Sequence, residues 1–386
     1  MTRSTLRTSL RAGLVTAAML ALAGPGHAQT GTQHQGMHHQ PMKVETKPFV
    51  PPAGGMSQEV YDDLSDVPLW PNLGTITYSV TTASPLAQRY FDQGLRLAYG
   101  FNHAEARRAF RMAQRIDPAC ALCFWGEALV LGPNINAPMG AGAVAPALAA
   151  IARAEQLAAN ARPHEQALIR ALSRRYAAGR TADRADLDKA YADAMADVAL
   201  RYPEDTEIAV LTAEALMNLS PWDYWQAGGA EPKGRTAEIV GMLEGVMARN
   251  PDHIGAIHYY IHMVEASDRP ERAVPGADRL ASFDLGAGHL VHMPSHIYYR
   301  IGRYLDSLEA NRRAVAADEA YLESIGTGGI YPSAYYPHNI HFLLVSAQMA
   351  GDGPTAVEAA EKLRATVTDE AARTIGRGIG AMGSNR

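Results

Sequence analysis

The chain has 386 residues, of which 47% are hydrophobic and 19% are charged, and its formal net charge is −5. A chain of this length buries a substantial core, either as one large domain or as an array of repeats. Because the balance is acidic and no basic cluster is suited to a phosphate backbone, we exclude nucleic acids as partners.

Residues 1–28 have the pattern of a secretory signal peptide. Three arginines precede an apolar run at residues 14–23, and residues 26–28 resemble a cleavage site between small side chains. The apolar run is too short for a stable transmembrane helix, and no later segment has the required length. We therefore expect a periplasmic or secreted protein without membrane insertion.

Residues 29–83 are predicted to form a disordered His/Met-rich tail and then a Pro/Gly linker. The tail contains a set of thioether and imidazole side chains, namely His34, Met37, His38, His39 and Met42. These side chains together suit copper in an exported protein, although a solvated polar tail has the same composition. Residues 48–55 predict a linker or a strap across the helices, and residues 75–80 predict a short extended piece.

A helical pattern begins at Ser84-Pro85, where a serine cap precedes a proline in the first helical position. A second helix follows, marked by spaced small and aromatic residues and by a closing proline: Ala106, Phe110, Ala113 and Pro118. The helical pattern continues to about residue 370, with loop insertions at residues 132–138, 220–229 and 325–330. Residues 371–386 are expected to form a flexible C-terminal tail.

Cys120 and Cys123 are the only cysteines, in a C-x-x-C spacing. In an oxidising compartment this spacing is compatible with a local disulfide, a metal site or redox exchange. A thioredoxin-like role requires a βαβ context, whereas the surrounding pattern is helical. The role of the pair is left open by the sequence.

Two histidine pairs recur one repeat apart. His258 and His262 form one His-x-x-x-His string, and His292 and His296 form the next, with equal steps (292 − 258 = 34 and 296 − 262 = 34). Thirty-four residues is the period of the tetratricopeptide (TPR) repeat, a helix–turn–helix unit. With the alanine, aromatic and proline landmarks, residues 84–370 resemble TPR proteins. The resemblance implies an all-α, TPR-like α-solenoid with several loop insertions, in which the first helix of each unit lines a groove.

Residues three, four and seven apart share one face of a helix, so the histidines of each string are expected to point the same way. A His-x-x-x-His pair on a helix can chelate one metal ion. The candidate metal ligands, expected to face the common groove, are His258, His262, His292, His296, His338, His341, Glu214 and Glu265. His289 lies on the same helical face as His292 and His296 but is not included in the ligand set.

These ligands predict an exported metalloprotein, and a metal-dependent enzyme is one form of it. More ligands are present than one tetrahedral ion requires, which fits two metals or one metal with the remaining histidines as acid/base groups. Imidazole ligands suit several transition metals, and export together with the His/Met-rich tail favours copper, while the carboxylates keep zinc and iron as alternatives. A different class of function, a periplasmic scaffold whose groove binds a peptide or a partner protein, fits the same repeat pattern.

Overall fold

The computed structural model describes residue 64 and residues 67–177, 183–325 and 331–367. The predicted signal peptide, the His/Met-rich tail, the proposed strap at residues 48–55 and the C-terminal tail at residues 371–386 lie outside the described residues. The helices are α1 (Pro85–Tyr99), α2 (His103–Ile116), α3 (Ala121–Leu131), α4 (Val144–Leu157), α5 (Pro163–Leu172), α6 (Arg184–Arg201), α7 (Thr206–Met217), α8 (Thr236–Arg249), α9 (Ile254–Val264), α10 (Val274–Ala281), α11 (Gly288–His292), α12 (Pro294–Arg300), α13 (Tyr304–Ile325), α14 (Tyr336–Ala350) and α15 (Gly353–Thr366).

Short 3-10 turns supplement these helices at Ala141–Ala143, Ala158–Asn160, Ser173–Arg175 and Pro270–Ala273, and a π-helical turn covers Tyr331–Tyr335. Within the described ranges the chain has no β-strand and only two isolated β-bridges. The prediction of an all-α fold is therefore confirmed for this part of the chain. None of the helices described has the length and apolar character that crossing a bilayer requires.

The first helix begins where the sequence predicts. Pro85 is its first residue, and the Ser84 hydroxyl accepts a hydrogen bond from the backbone N–H of Ala87 at 3.3 Å. The next helix is capped in the same way, because the Asn102 side chain accepts from the N–H of Glu105. Such caps satisfy backbone donors that have no partner within the helix.

Helices that follow one another along the chain pack together, as in the pairs α1–α2, α3–α4, α6–α7, α8–α9, α13–α14 and α14–α15. Phe110 of α2 shows how the packing is achieved. Its ring lies against Gly94 of α1 and Gly126 of α3, and a Cβ atom at either glycine would overlap it. The aromatic ring therefore occupies space that neighbouring helices leave by lacking a side chain.

Residues 67–83, part of the predicted linker, are packed against the helices. Ile76, Tyr78 and Val80 are buried and alternate with exposed neighbours, as in an extended segment. The Tyr78 hydroxyl donates to Asp205 at 3.1 Å, and the Thr81 N–H donates to Glu165 at 2.7 Å. The prediction of a poorly ordered linker up to residue 83 is therefore wrong for this stretch, because its apolar side chains reach the helical core.

The cysteine pair lies at the N-terminus of α3 and forms a disulfide between Cys120 and Cys123. Both side chains are buried. Of the three roles that the sequence left open, the structure favours the local disulfide.

Four helices carry the histidines of interest. His258 and His262 lie on α9, His289 and His292 lie on α11, and α12 and α14 supply the others. Helix α9 contacts α12, and α11 contacts α14. The fold thus brings the histidine-bearing helices next to one another.

Candidate metal centre

Helix α9 is buried along its whole length, from Ile254 to Val264. Its two histidines are four residues apart and therefore share one face. The side chains of His258 and His262 are 0% and 2% exposed, and their ring centroids are 4.8 Å apart. The helix thus delivers a pair of imidazoles into the protein interior.

The next His-x-x-x-His string spans the junction of α11 and α12. Met293 separates the two helices, and Pro294, which has no backbone N–H, is the first residue of α12. Despite the junction, His292 and His296 keep their rings 4.7 Å apart. The spacing of the string is therefore preserved in space.

One group of three imidazoles, which we name centre A, consists of His258, His262 and His289. Each residue offers one ring nitrogen, and these nitrogens lie within 4.8 Å of one another. The Nε2 atoms of His258 and His289 are 3.2 Å apart. Centre A therefore combines the pair on α9 with one histidine from α11.

A second group, centre B, consists of His292, His296 and His338, again with one nitrogen from each within 4.8 Å of the others. The Nε2 atom of His292 lies 2.8 Å from that of His296 and 3.1 Å from that of His338. Centre B therefore has the composition of centre A, a His-x-x-x-His pair and one histidine from a later helix.

Glu265 connects the two centres by hydrogen bonds. Its Oε1 atom accepts from Nδ1 of His262 at 2.9 Å, and its Oε2 atom accepts from Nδ1 of His296 at 2.7 Å. Burial alone would raise the pKa of this carboxyl, but the contacts with His296 and His262 outweigh burial and lower it. Glu265 was a predicted ligand, and the structure places it as the carboxylate that orients one imidazole of each centre.

Two further Nδ1 atoms are held by uncharged acceptors. His258 donates to the backbone carbonyl of Tyr99 at 2.6 Å, and His292 donates to Oδ1 of Asn311 at 2.7 Å. The Asn311 amide group donates to the carbonyl of Ser307, which fixes its orientation. Four of the six imidazoles thus carry their proton on Nδ1 and direct the lone pair of Nε2 toward the centres.

Burial disfavours the charged form of several of these imidazoles. Burial, followed by the neighbouring rings, lowers the pKa of His258, His289 and His292 well below the usual range, and the same causes lower the pKa of His338 to about 3. Neutral imidazole is the form that binds metal ions. The donor set therefore fits a transition metal without prior loss of a proton.

Aromatic rings enclose both centres. The Phe101 ring stacks on those of His262 and His289. The ring centroids of Trp222 and His262 are 5.0 Å apart, with the rings edge to face, and those of Phe342 and His296 are 4.6 Å apart. Phe101 and Trp222 are also the non-glycine residues with positive φ in the described ranges, at 56° and 67°. Such backbone conformations cost on the order of 1–3 kcal/mol each and persist where surrounding contacts enforce them.

Two predicted ligands lie outside the centres. Glu214 belongs to neither group, and its carboxylate accepts a hydrogen bond from Asn218 and interacts with the charge of the buried Arg175. Burial raises the pKa of Glu214 although Arg175 opposes this. The structure therefore does not bring Glu214 together with the histidines of either group. His341 also belongs to neither group, and its ring is partly exposed.

His289 was predicted to share a helical face with His292 and His296, but it was not among the predicted ligands. The structure divides these three residues, so that His289 completes centre A while the other two belong to centre B. The signal that would have found it is the His-x-x-His spacing of His289 and His292, which recurs at His338 and His341.

Comparison with protein-family models gives no match for this chain, and a search of curated proteins gives none. The site consists of six imidazoles in two groups of three, in which five of the rings are buried and His338 is half-buried. The Nδ1 atoms of four rings are hydrogen-bonded, and one nitrogen of each ring faces the other two rings of its group.

Proposed function

We propose that this chain is a metalloprotein that binds transition metal through the six histidines of centres A and B. One observation carries the proposal: in each centre three imidazole nitrogens approach one another within 4.8 Å in the protein interior. Metal–imidazole bonds of about 2 Å place two ligating nitrogens at most about 4 Å apart. The Nε2 pairs at 3.2 Å in centre A and at 2.8 and 3.1 Å in centre B lie within that limit.

The orientation of the rings supports the same conclusion. The Nε2 atoms of His292 and His296 face each other at 2.8 Å, a contact between two nitrogens that requires a proton or a metal ion between or beside them. The Nε2 atom of His262 is buried and has no hydrogen-bond partner. Buried polar atoms are normally satisfied, so a set of inward-facing nitrogens favours a ligand over packing alone.

The donor set bears on the identity of the metal. Each centre offers three neutral imidazoles, and the carboxylate between them is engaged by Nδ1 protons. Non-haem iron sites typically combine two histidines with a carboxylate ligand, whereas imidazole sets suit copper and zinc. We therefore place copper first, zinc second and iron last.

The finer description of the fold and the location belong to the same proposal. The 34-residue step of the histidine strings and the packing of successive helices support TPR-like repeats. The pattern of residues 1–28 supports export to the periplasm or beyond. A scaffold function would predict histidines scattered apart, and the two close groups favour metal binding instead.

The test compares metal content between variants purified without a histidine tag. We expect wild type and His341→Ala, which alters a histidine outside both centres, to bind the same amount of metal. The double variant His262→Ala/His296→Ala removes one ligand from each centre and should lose most of its metal, measured by inductively coupled plasma mass spectrometry. Equal metal content in all three folded proteins, with folding checked by circular dichroism, would refute the proposal and leave the scaffold function.

A further inference from the structure

We infer that centres A and B each hold one copper ion and that the two ions form a dinuclear unit that binds a small ligand of two or three atoms between them. This inference rests on the proposed function and specifies the number of ions, their state and the ligand class.

Two ions are indicated because the six donors divide evenly. Each centre supplies three imidazole nitrogens, a set that leaves a position open on a four-coordinate ion. Glu265 accepts one Nδ1 hydrogen bond from each centre, so it lies between the two groups without serving as the third ligand of either. Each centre thus has three imidazoles and one hydrogen bond to Glu265, as expected for two equivalent metal sites.

The centres are close enough for their ions to interact. Across the boundary, the ring centroids of His262 and His296 are 5.6 Å apart, and those of His289 and His292 are 5.9 Å apart. These separations do not exceed the longest one inside centre A, which is 6.0 Å between the ring centroids of His262 and His289. Ions in paired sites typically lie about 3.5–4 Å apart and share a ligand.

Charge favours monovalent copper in the resting pair. An imidazole that binds a metal ion through a lone pair brings no charge to it, and Glu265 is the carboxylate that hydrogen-bonds to both centres. Coulomb repulsion follows the product of the charges, so two dications repel about four times as strongly as two monocations at the same distance. A pair of cuprous ions therefore fits this environment better than a pair of zinc or cupric ions.

Charge and enclosure also determine which small ligand fits between the two ions. When both ions are cupric, an anion between them offsets charge that one carboxylate leaves uncompensated. Phe101 and Trp222 cover centre A and Phe342 covers centre B, so the ligand must be small. Dioxygen fits the reduced pair, because two cuprous ions each supply one electron and convert it to peroxide while becoming cupric. Azide serves as an anionic probe for the oxidised pair.

The first experiment counts the ions. Wild type and His341→Ala are titrated with cuprous copper under anaerobic conditions against a chromogenic chelator, and we expect two ions per chain. His258→Ala disables centre A and His338→Ala disables centre B, so each should retain one ion. One ion in wild type would overturn the dinuclear unit while leaving the proposed function intact, whereas none would overturn both.

The second experiment tests whether the ions act together. After oxidation with ferricyanide, the His258→Ala and His338→Ala variants should each show the full electron paramagnetic resonance signal of one isolated cupric ion. Wild type should show only a small fraction of the signal of two ions, because coupling through a shared ligand cancels the spins, and azide should shift its absorption spectrum. Two full, azide-insensitive cupric signals in wild type would overturn the inference.

Discussion

Orientation of the imidazoles depends on single acceptor atoms outside the centres. Glu265 is the most exacting of these, because one carboxylate accepts from His262 and from His296 with different oxygens. A carboxylate can accept both bonds, since neither of its oxygens carries a proton when it is ionised. The two rings are thereby held with Nε2 toward the centres, so under the proposed function Glu265 would contribute to metal affinity without being a ligand.

We predict that Glu265→Gln lowers metal affinity by about 10–100-fold, the usual range for loss of a group that orients a ligand. Glutamine has one acceptor oxygen and one NH2 group, so the amide would face an Nδ1 proton of one histidine with a donor. That imidazole must then turn or exchange its tautomer. Competition with a chelator of known affinity measures the effect.

The matched control is Glu361→Gln, which makes the same chemical change at an exposed position of α15. This variant should bind metal as tightly as wild type. Unchanged affinity in Glu265→Gln would show that its hydrogen bonds do not hold the imidazoles in the binding orientation.

Most histidines of the two centres could be predicted from their spacing in the sequence, but their division between centres A and B could not. His289 and His292 have the same spacing as His338 and His341 (292 − 289 = 3 and 341 − 338 = 3). In the structure the first residue of each such pair belongs to the preceding centre, so the histidines of one centre come from two successive parts of the chain. Helical periodicity identifies residues that share a face, but it does not show which neighbouring helix that face meets.

The spacing of the histidines also explains why His341 lies outside both centres. The residue four after His292 is His296, whereas the residue four after His341 is Val345. A third centre would require both imidazoles of a His-x-x-x-His pair, and valine offers no ligand atom. His341 was predicted as a ligand because its i, i+3 spacing was counted without the missing partner.

Packing between elements depends on small residues opposite large ones. Phe110 of α2 is fully buried, and its ring lies against Gly94 on one side and Gly126 on the other. Both glycines lie inside helices, where glycine is otherwise unfavourable by about 1 kcal/mol relative to alanine. The gain must come from the close approach of the helices to the aromatic ring.

We predict that Gly126→Ala lowers the free energy of unfolding by about 1–3 kcal/mol, because the added methyl group overlaps a ring that has no room to move. Denaturation by urea, followed by circular dichroism, measures the change. Gly245→Ala is the matched control, since Gly245 lies in α8 with nothing near the position of its missing Cβ. The control should be neutral or stabilising by up to about 1 kcal/mol, and equal effects at both sites would contradict the packing argument.

The helical elements could be predicted better than the segment that crosses them. Ser84 and Pro85 have local capping chemistry, and the predicted helix start is correct. Tyr78, in contrast, is buried and donates a hydrogen bond to Asp205, a residue 127 positions away. No local pattern encodes such a contact, so the sequence of residues 67–83 could not show that they pack against distant helices.

At the scale of the molecule, the centres join distant parts of the chain. Tyr99, Glu265 and Asn311 accept hydrogen bonds from imidazoles of three helices, α9, α11 and α12, and α14 supplies His338. In the unfolded chain these imidazoles are far apart, so the proposed metal binding would be thermodynamically coupled to folding. Burial of six imidazoles also has a cost that bound metal would offset.

We predict that removing metal from the folded protein lowers its thermal midpoint and that restoring metal recovers it. Free metal at about 1,000 times the dissociation constant stabilises a protein with one such site by about 4 kcal/mol, provided that the unfolded chain binds weakly. Differential scanning calorimetry of chelated and reloaded samples measures the shift. The variant His262→Ala/His296→Ala should show little response to either treatment, because each centre has lost a ligand, while His341→Ala should respond as wild type does. A wild-type midpoint that is the same with and without metal would mean that the six imidazoles are stable as packed side chains.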